Sequence, residues 1–389
     1  MVKTEIQVVY ARDASEIYNR RSALGSYIHC FCEIFTKHGY DLKINGLPFY
    51  KNKLVNNDKA IVTSGGIVKI IPSFLRDFLK DVRLFFKQEK LFKEIRKQPD
   101  FDFIIEFYTY GSKISYKFFK NYNKPFILIY DAPVIEAHAY FAKGWLFFKR
   151  IVEKREKKCL FTAKAIVVYS NAVKEYLEKK YKHPLPIVIH QNVDYTRFDF
   201  IDIDSKPDLK IINIGFIGSF LKWHSVDNLL KAFTFLKDQG YCVNLYLVGV
   251  GEEFLRIKTL VNENKFKENI IITGFLDGSE LYIYKQLIHI GVMPGSNWYG
   301  APNKLFEYGA SNMAVVAPDT PTIKELFNEE VLLFENGSEN GLYDCLKYLC
   351  DHTDKIKELA EKLQLKVKKD YSEKITFGFY NELITKDIL

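Results

Sequence analysis

Lys304 and Glu307 are one cation and one carboxylate set three residues apart in Pro302-Asn303-Lys304-Leu305-Phe306-Glu307-Tyr308. On a helix that spacing puts both on one face. Pro302 suits the first turn, where its fixed φ and missing N–H do no harm. Upstream, Ile288, Ile290, Val292 and Met293 read as a buried strand, broken by Pro294-Gly295-Ser296-Asn297 and continued as the loop Trp298-Tyr299-Gly300-Ala301. Downstream, residues 314–317 read as the next parallel strand, closed by Pro318. A strand end, a loop with glycines and a helix N-terminus suit a nucleoside diphosphate. Free N–H groups and the helix dipole face its phosphates, the lysine adds charge, and the carboxylate accepts from two ribose hydroxyls. The same spacing also suits a solvated ion pair worth roughly 0.2–0.5 kcal/mol.

A second constellation opens the C-terminal half. The strand pattern of residues 211–217 runs into Gly215-Phe216-Ile217-Gly218-Ser219-Phe220, then Leu221-Lys222-Trp223-His224 and a helix over 226–239. The glycine pair lets backbone N–H groups approach a phosphate. Further on, a strand ends in Gly249-Val250-Gly251 and another in Gly274-Phe275-Leu276. In the N-terminal half, Glu106 lies in a buried strand, and Asp131, Glu136 and His138 follow another. Parallel sheets place ligands at the carboxyl ends of their strands, so these four side chains are expected near one rim. Asp131 would equally serve as a turn cap.

The elements that must position these groups alternate strand and helix throughout, which predicts an α/β fold with parallel sheets. A chain of 389 residues suits two domains. We place them at 1–200 and 209–372, with a polar, acidic linker at 199–208 and a terminal helical segment at 373–389. The charge changes sign at the linker. Residues 1–200 carry 35 basic against 21 acidic groups, a net of +14, and the remainder 21 against 27, a net of −6. Helical patterns at 74–97 and 143–158 mix aromatics with eight and seven Lys/Arg. They read either as core-facing helices with a solvated basic face or as an attachment to an anionic membrane. Six scattered cysteines with no metal-type spacing suggest reduced thiols in a cytosolic protein. The N-terminus enters a strand pattern at once, so no secretion leader is expected. No run of about 18 apolar residues is present to span a bilayer.

The segment from Pro302 to Tyr308 resembles the donor-site helix of GT-B glycosyltransferases of family 4, in the subgroup with a Pro-x-Lys-Leu-Phe-Glu-Tyr run. Gly218-Ser219-Phe220-x-x-Trp223-His224 resembles the same subgroup, and Gln191-Asn192-Val193-Asp194 is similar to its Asn-Gly-Val-Asp segment without the glycine. The resemblance implies two doubly wound Rossmann-like domains facing across a cleft, with the last helix crossing back onto the first domain. It implies retaining transfer from a nucleoside diphosphate sugar to a glycan or lipid-linked acceptor of the cell-envelope type, without bound metal or further cofactor. Donor contacts would come from Gly218, Ser219, Lys222, His224, Gly249, Phe275, Leu276, Tyr299, Gly300, Ala301, Pro302, Asn303, Lys304, Leu305 and Glu307. Gly25, Glu106, Glu136 and His138 would lie on the acceptor side, and Asp131, Lys304 and Glu307 would carry the chemistry. The chain departs from the commoner pattern at Ser219, where many members have Arg, and at His224-Ser225, where they have Lys-Gly. It departs again at Tyr299, which replaces a Glu that touches the donor sugar. Alternatives are a nucleotide-sugar 2-epimerase of the same architecture and a non-enzymatic anion- or membrane-binding module. Nucleic acid is not expected as a partner, since no nucleic-acid motif is present. The expected location is cytoplasmic, with peripheral attachment to the inner face of the membrane.

Overall fold

The computed structural model describes residues 4–12, 17–19, 22–49, 72–141, 146–276, 278–300 and 302–387. Ala301, Lys143, Trp145 and the Gly65-Gly66 turn fall outside them. The chain divides into two compact units, Met1–Asp194 with Glu373–Leu389, and Tyr195–Ser372.

The first unit contains β1 (Glu5–Tyr10), α1 (Ala23–Lys37), β2 (Asp41–Ile44), β3 (Leu47–Pro48), α2 (Ser73–Ile95), β4 (Phe103–Phe107) and α3 (Ile114–Tyr122). It continues with β5 (Phe126–Ile129), α4 (Val134–Phe141), α5 (Lys149–Thr162), β6 (Ala165–Val168), α6 (Asn171–Tyr181) and β7 (Ile187–Ile189). The strand order is β3-β2-β1-β4-β5-β6-β7, parallel except for the β2–β3 hairpin. β4, β5 and β6 are buried along their whole length. Continuous apolar runs such as Phe126-Ile127-Leu128-Ile129 behave this way in a parallel sheet covered on both faces. The basic pattern expected to be helical from residue 143 forms α5 only from Lys149. Leu146, Phe147 and Phe148 precede the helix, and Phe148 stacks on Phe78 of α2 at 5.4 Å.

The second unit runs β8 (Ile212–Ile217), α7 (Val226–Asp238), β9 (Val243–Val248), α8 (Phe254–Glu263), β10 (Ile270–Gly274), α9 (Gly278–Leu287) and β11 (Ile290–Val292). Then come α10 (Asn303–Ala310), β12 (Ala314–Asp319), α11 (Pro321–Leu326), β13 (Leu332–Glu335), α12 (Glu339–Asp351) and α13 (Thr353–Asp370). Its sheet is wholly parallel in the order β10-β9-β8-β11-β12-β13. Pro318 does not end β12; it pairs with Phe334 of β13, beyond Val316, where the pairing with β11 ends, so its missing N–H costs no bond on the β11 side. Pro302 caps α10 instead of opening it, so the helix starts one residue later than expected. The acidic stretch at 199–208 is anchored to this unit. Ile201 N–H donates to Ala310 O at 3.2 Å, and Gln364 Nε2 donates to both Ile201 O and Ala310 O at 2.8 Å.

The last helix, α14 (Glu373–Asp387), belongs to the first unit. Phe377 and Tyr380 pack with Phe35, Phe31 and Tyr40, and the Tyr380 hydroxyl accepts from Asn192 Nδ2 at 2.7 Å.

Candidate active site

The two phosphate-type motifs of the second unit meet. β8 and β11 are neighbours at the sheet centre, so the turn after β8 and the helix after β11 lie at the same sheet edge. Lys304, in the first turn of α10, reaches Gly218. A Cβ built on that glycine would stand 3.1 Å from Lys304 Nζ. The ammonium also lies 4.5 Å from the centroid of the Phe216 ring and 3.1 Å from His224 Nε2. Because His224 Nδ1 contacts the Ser219 carbonyl at 2.5 Å, it must carry the proton, which leaves Nε2 to accept from Lys304. Burial, then the Lys304 charge, pushes His224 down to about 3, so the ring is neutral at working pH. Burial lowers Lys304 to about 7, against the opposing pull of Glu307.

Gly218 does not offer its own N–H to a ligand, contrary to expectation: that group donates to Val248 O at 2.9 Å, continuing the β8–β9 ladder. Among the described residues, the N–H groups of Ser219, Asn303 and Lys304 have no hydrogen-bond partner. The last two are first-turn helix amides, which have none within the helix by geometry. Gly249 has a φ of +133°, and a Cβ there would fall 2.0 Å from Gly218 O. Only glycine lets the two turns touch. The exposed Lys222 gives its N–H to Glu252 Oε1 at 3.3 Å. Phe275, Leu276, Tyr299 and Gly300 are half-buried, and Tyr299 makes an edge contact with Trp298 at 5.3 Å. Leu305, expected among donor contacts, is fully buried and packs into the core.

Glu307 does not pair with Lys304. Its carboxylate lies 3.4 Å from Arg197 Nε and 3.7 Å from Lys285 Nζ. Neither cation stands out in the sequence reading. A signal exists for Lys285, which interrupts the apolar stripe Leu281, Lys285, Ile288 at helical spacing. Arg197 has none, since its role depends on how the segment after residue 194 folds onto α10.

In the first unit Asp131 follows β5 and is half-buried. Burial raises its carboxyl to about 6, opposed by the Arg12 charge. Its charge is felt by Tyr27 of α1 and Tyr169 after β6, whose hydroxyls lie 2.6 Å apart, so the ends of β1, β5 and β6 converge here. The other acceptor-side candidates have partners of their own. Glu106 is fully buried and bonded to Ser112 Oγ, Ser115 Oγ and the Ser115 N–H, where it caps α3. Glu136 accepts from the Tyr176 hydroxyl. His138 pairs with the buried Asp81 at 2.9 Å and stacks on Tyr110 at 3.7 Å. The Gly25 N–H is taken by Ser22 Oγ, the cap of α1.

Residues 199–370 match the family described as glycosyl transferases group 1. An uncharacterized glycosyltransferase of Methanocaldococcus jannaschii is 24% identical over 90% of this chain and 93% of its own length. Sucrose-phosphate synthase from Thermosynechococcus elongatus superposes with a TM-score of 0.74 at 15% identity, covering 98% of this chain and all of that one. Anabaena HepE in complex with UDP-glucose gives 0.69 at 12% identity, over 98% of this chain and 99% of HepE. The fold is thus of the GT-B type, with two Rossmann-like units, and the comparisons support glycosyl transfer as the activity. The meeting of Gly218, His224 and Lys304 lies within the residues that match this family.

Proposed function

We propose that this chain is a retaining glycosyltransferase that moves a sugar from a nucleoside diphosphate sugar, without a bound metal, to a glycan or lipid-linked acceptor of the cell-envelope type. The observation that carries this reading is the Lys304 ammonium set against Gly218, beside the unpaired amides of Ser219, Asn303 and Lys304. As the bond from the sugar's anomeric carbon to the diphosphate breaks, negative charge gathers on the leaving oxygens. Preorganised donors aimed at that charge stabilise it without rearrangement. Lys304 and these amides supply such donors, with Lys222 able to add charge from solvent. Glu307 accepts from the ribose hydroxyls. Asp131 accepts a hydrogen bond from the acceptor in its ionised form.

A peripheral place on an anionic membrane is part of the same proposal. Among the described residues no helix is long and apolar enough to cross a membrane. Phe86 on α2 is 72% exposed, and Ile151 on α5 stands exposed beside Lys149, Arg150 and Lys154. Apolar side chains among lysines suit an interface with anionic headgroups.

The deciding experiment is thermal stabilisation by UDP, GDP, ADP and CMP, followed by transfer assays with the sugar nucleotides of whichever stabilises. UDP comes first because HepE was solved with UDP-glucose. A ligand at 100 times its Kd stabilises by about 2.7 kcal/mol. No stabilisation by any of the four would overturn the proposal.

A further inference from the structure

Lys285 is only 2% exposed, near the C-terminal end of α9. A lysine is seldom buried unless it is paired. Here its ammonium donates to Asp199 Oδ2 at 2.7 Å and to Arg197 O at 3.0 Å, and lies 3.7 Å from Glu307 Oε2. Arg197 Nε stands 3.4 Å from the other oxygen of the same carboxylate. Two cations and two anions thus close a group without net charge. α10, which carries Glu307, is tied at its far end as well, through Ala310 to Ile201 and Gln364.

We infer that Lys285, with Arg197 as the second arm of the clamp, is a positioning residue that holds the Glu307 carboxylate aimed for a ribose diol. A buried carboxylate is costly unless cations flank it, and here a cation faces each of its oxygens. The distances matter too. Lys285 makes its close bond to Asp199 and stays about an ångström further from Glu307. Tight charge-assisted bonds run at roughly 2.7–2.9 Å. At 3.4 and 3.7 Å the clamp supplies charge while leaving carboxylate lone pairs open to two hydroxyl donors. The inference rests on the proposed role of Glu307 in holding the donor's ribose.

The test measures the affinity of UDP, GDP and ADP beside their 2′,3′-dideoxy forms. The proteins compared are wild type, Glu307→Ala, Lys285→Met, and the double variant Lys285→Met/Asp199→Asn. The double variant removes one charge of each sign and so protects the fold if the single change does not survive. Wild type is expected to favour the ribo form of the nucleotide it binds by roughly tenfold or more, the worth of hydrogen bonds to a charged group. Glu307→Ala should bring that ratio close to one, and both Lys285 variants should do the same while inorganic pyrophosphate binds as in wild type. If Lys285 only braced the fold, melting temperature and all affinities would fall together and the ratio would persist. A folded double variant with the full wild-type ratio, alongside a Glu307→Ala that has lost it, overturns the inference and spares the ribose role. A Glu307→Ala that keeps the ratio, or a wild type without one, overturns both.

Discussion

Lys304 Nζ stands 3.1 Å from His224 Nε2, a neutral imidazole whose other nitrogen is held by the Ser219 carbonyl. The ring gives the ammonium a hydrogen-bond acceptor but no compensating charge, and burial lowers Lys304 to about 7 against the pull of Glu307. A diphosphate arriving at Gly218 would supply that charge.

The first prediction follows from this sign. In the free protein Lys304 is charged below about pH 7 and loses its proton above it. Bound diphosphate raises its pKa, so binding takes up a proton at higher pH. Affinity should weaken by up to tenfold per pH unit above 7, and calorimetry in two buffers of different ionisation enthalpy should register the uptake. Lys304→Met should bind more weakly and lose this dependence. A wild-type Kd that is flat from pH 7 to 9 would contradict the assignment.

Gly249 and Gly218 should separate stability from binding. A methyl at Gly249 would collide with Gly218 O and meet an unfavourable φ, so Gly249→Ala should destabilise by about 1–3 kcal/mol. Gly218→Ala crowds the Lys304 ammonium and should weaken nucleotide binding by more than its melting temperature suggests. Equal effects of the two substitutions on stability and Kd would argue against the division.

Asp131 should impose an acid limb on turnover. Its carboxyl ionises near 6, so kcat/KM for the acceptor should rise through that pH and level off above it. Asp131→Asn should abolish turnover while nucleotide affinity stays at the wild-type value. An Asp131→Asn enzyme of normal activity would remove it from the site.

Glu106, by contrast, should prove structural. Glu106→Ala leaves Ser112 and Ser115 without their acceptor and should lower stability by about 1–3 kcal/mol, with KM for the acceptor unchanged in the folded protein. A raised KM with an unchanged melting temperature would instead put Glu106 in contact with the acceptor.

Membrane attachment is testable through charge. Binding to anionic vesicles should be strong at low salt and weak near 1 M, where screening shortens to about 3 Å. Reversing Lys149, Arg150 and Lys154 should release the protein without touching nucleotide affinity. Arg155 is left alone, because it donates to Gly111 O and lies over the Phe85 ring at 4.4 Å. A wild type that ignores anionic vesicles at low salt would favour a soluble acceptor.

Much of the architecture was legible from local pattern. The apolar runs at 103–107, 126–129 and 165–168 suit strands buried on both faces of a parallel sheet, as β4, β5 and β6 are. The turn after β8 and the helix after β11 were legible too, because glycine and proline act through their own backbone. What local pattern could not supply was partnership. Lys304 and Glu307 share a helix face, yet one turns to His224 and Gly218 while the other turns to Arg197 and Lys285. Glu106 sits in a strand and Glu136 and His138 follow one, as Asp131 does, but Glu106 bonds Ser112 and Ser115, Glu136 accepts from Tyr176, and His138 pairs with Asp81. A carboxylate's fate depends on which donors and cations reach it, and those come from residues tens of positions away. Short-range geometry is written in neighbouring residues; the pairing of buried charges exists only once the chain has folded.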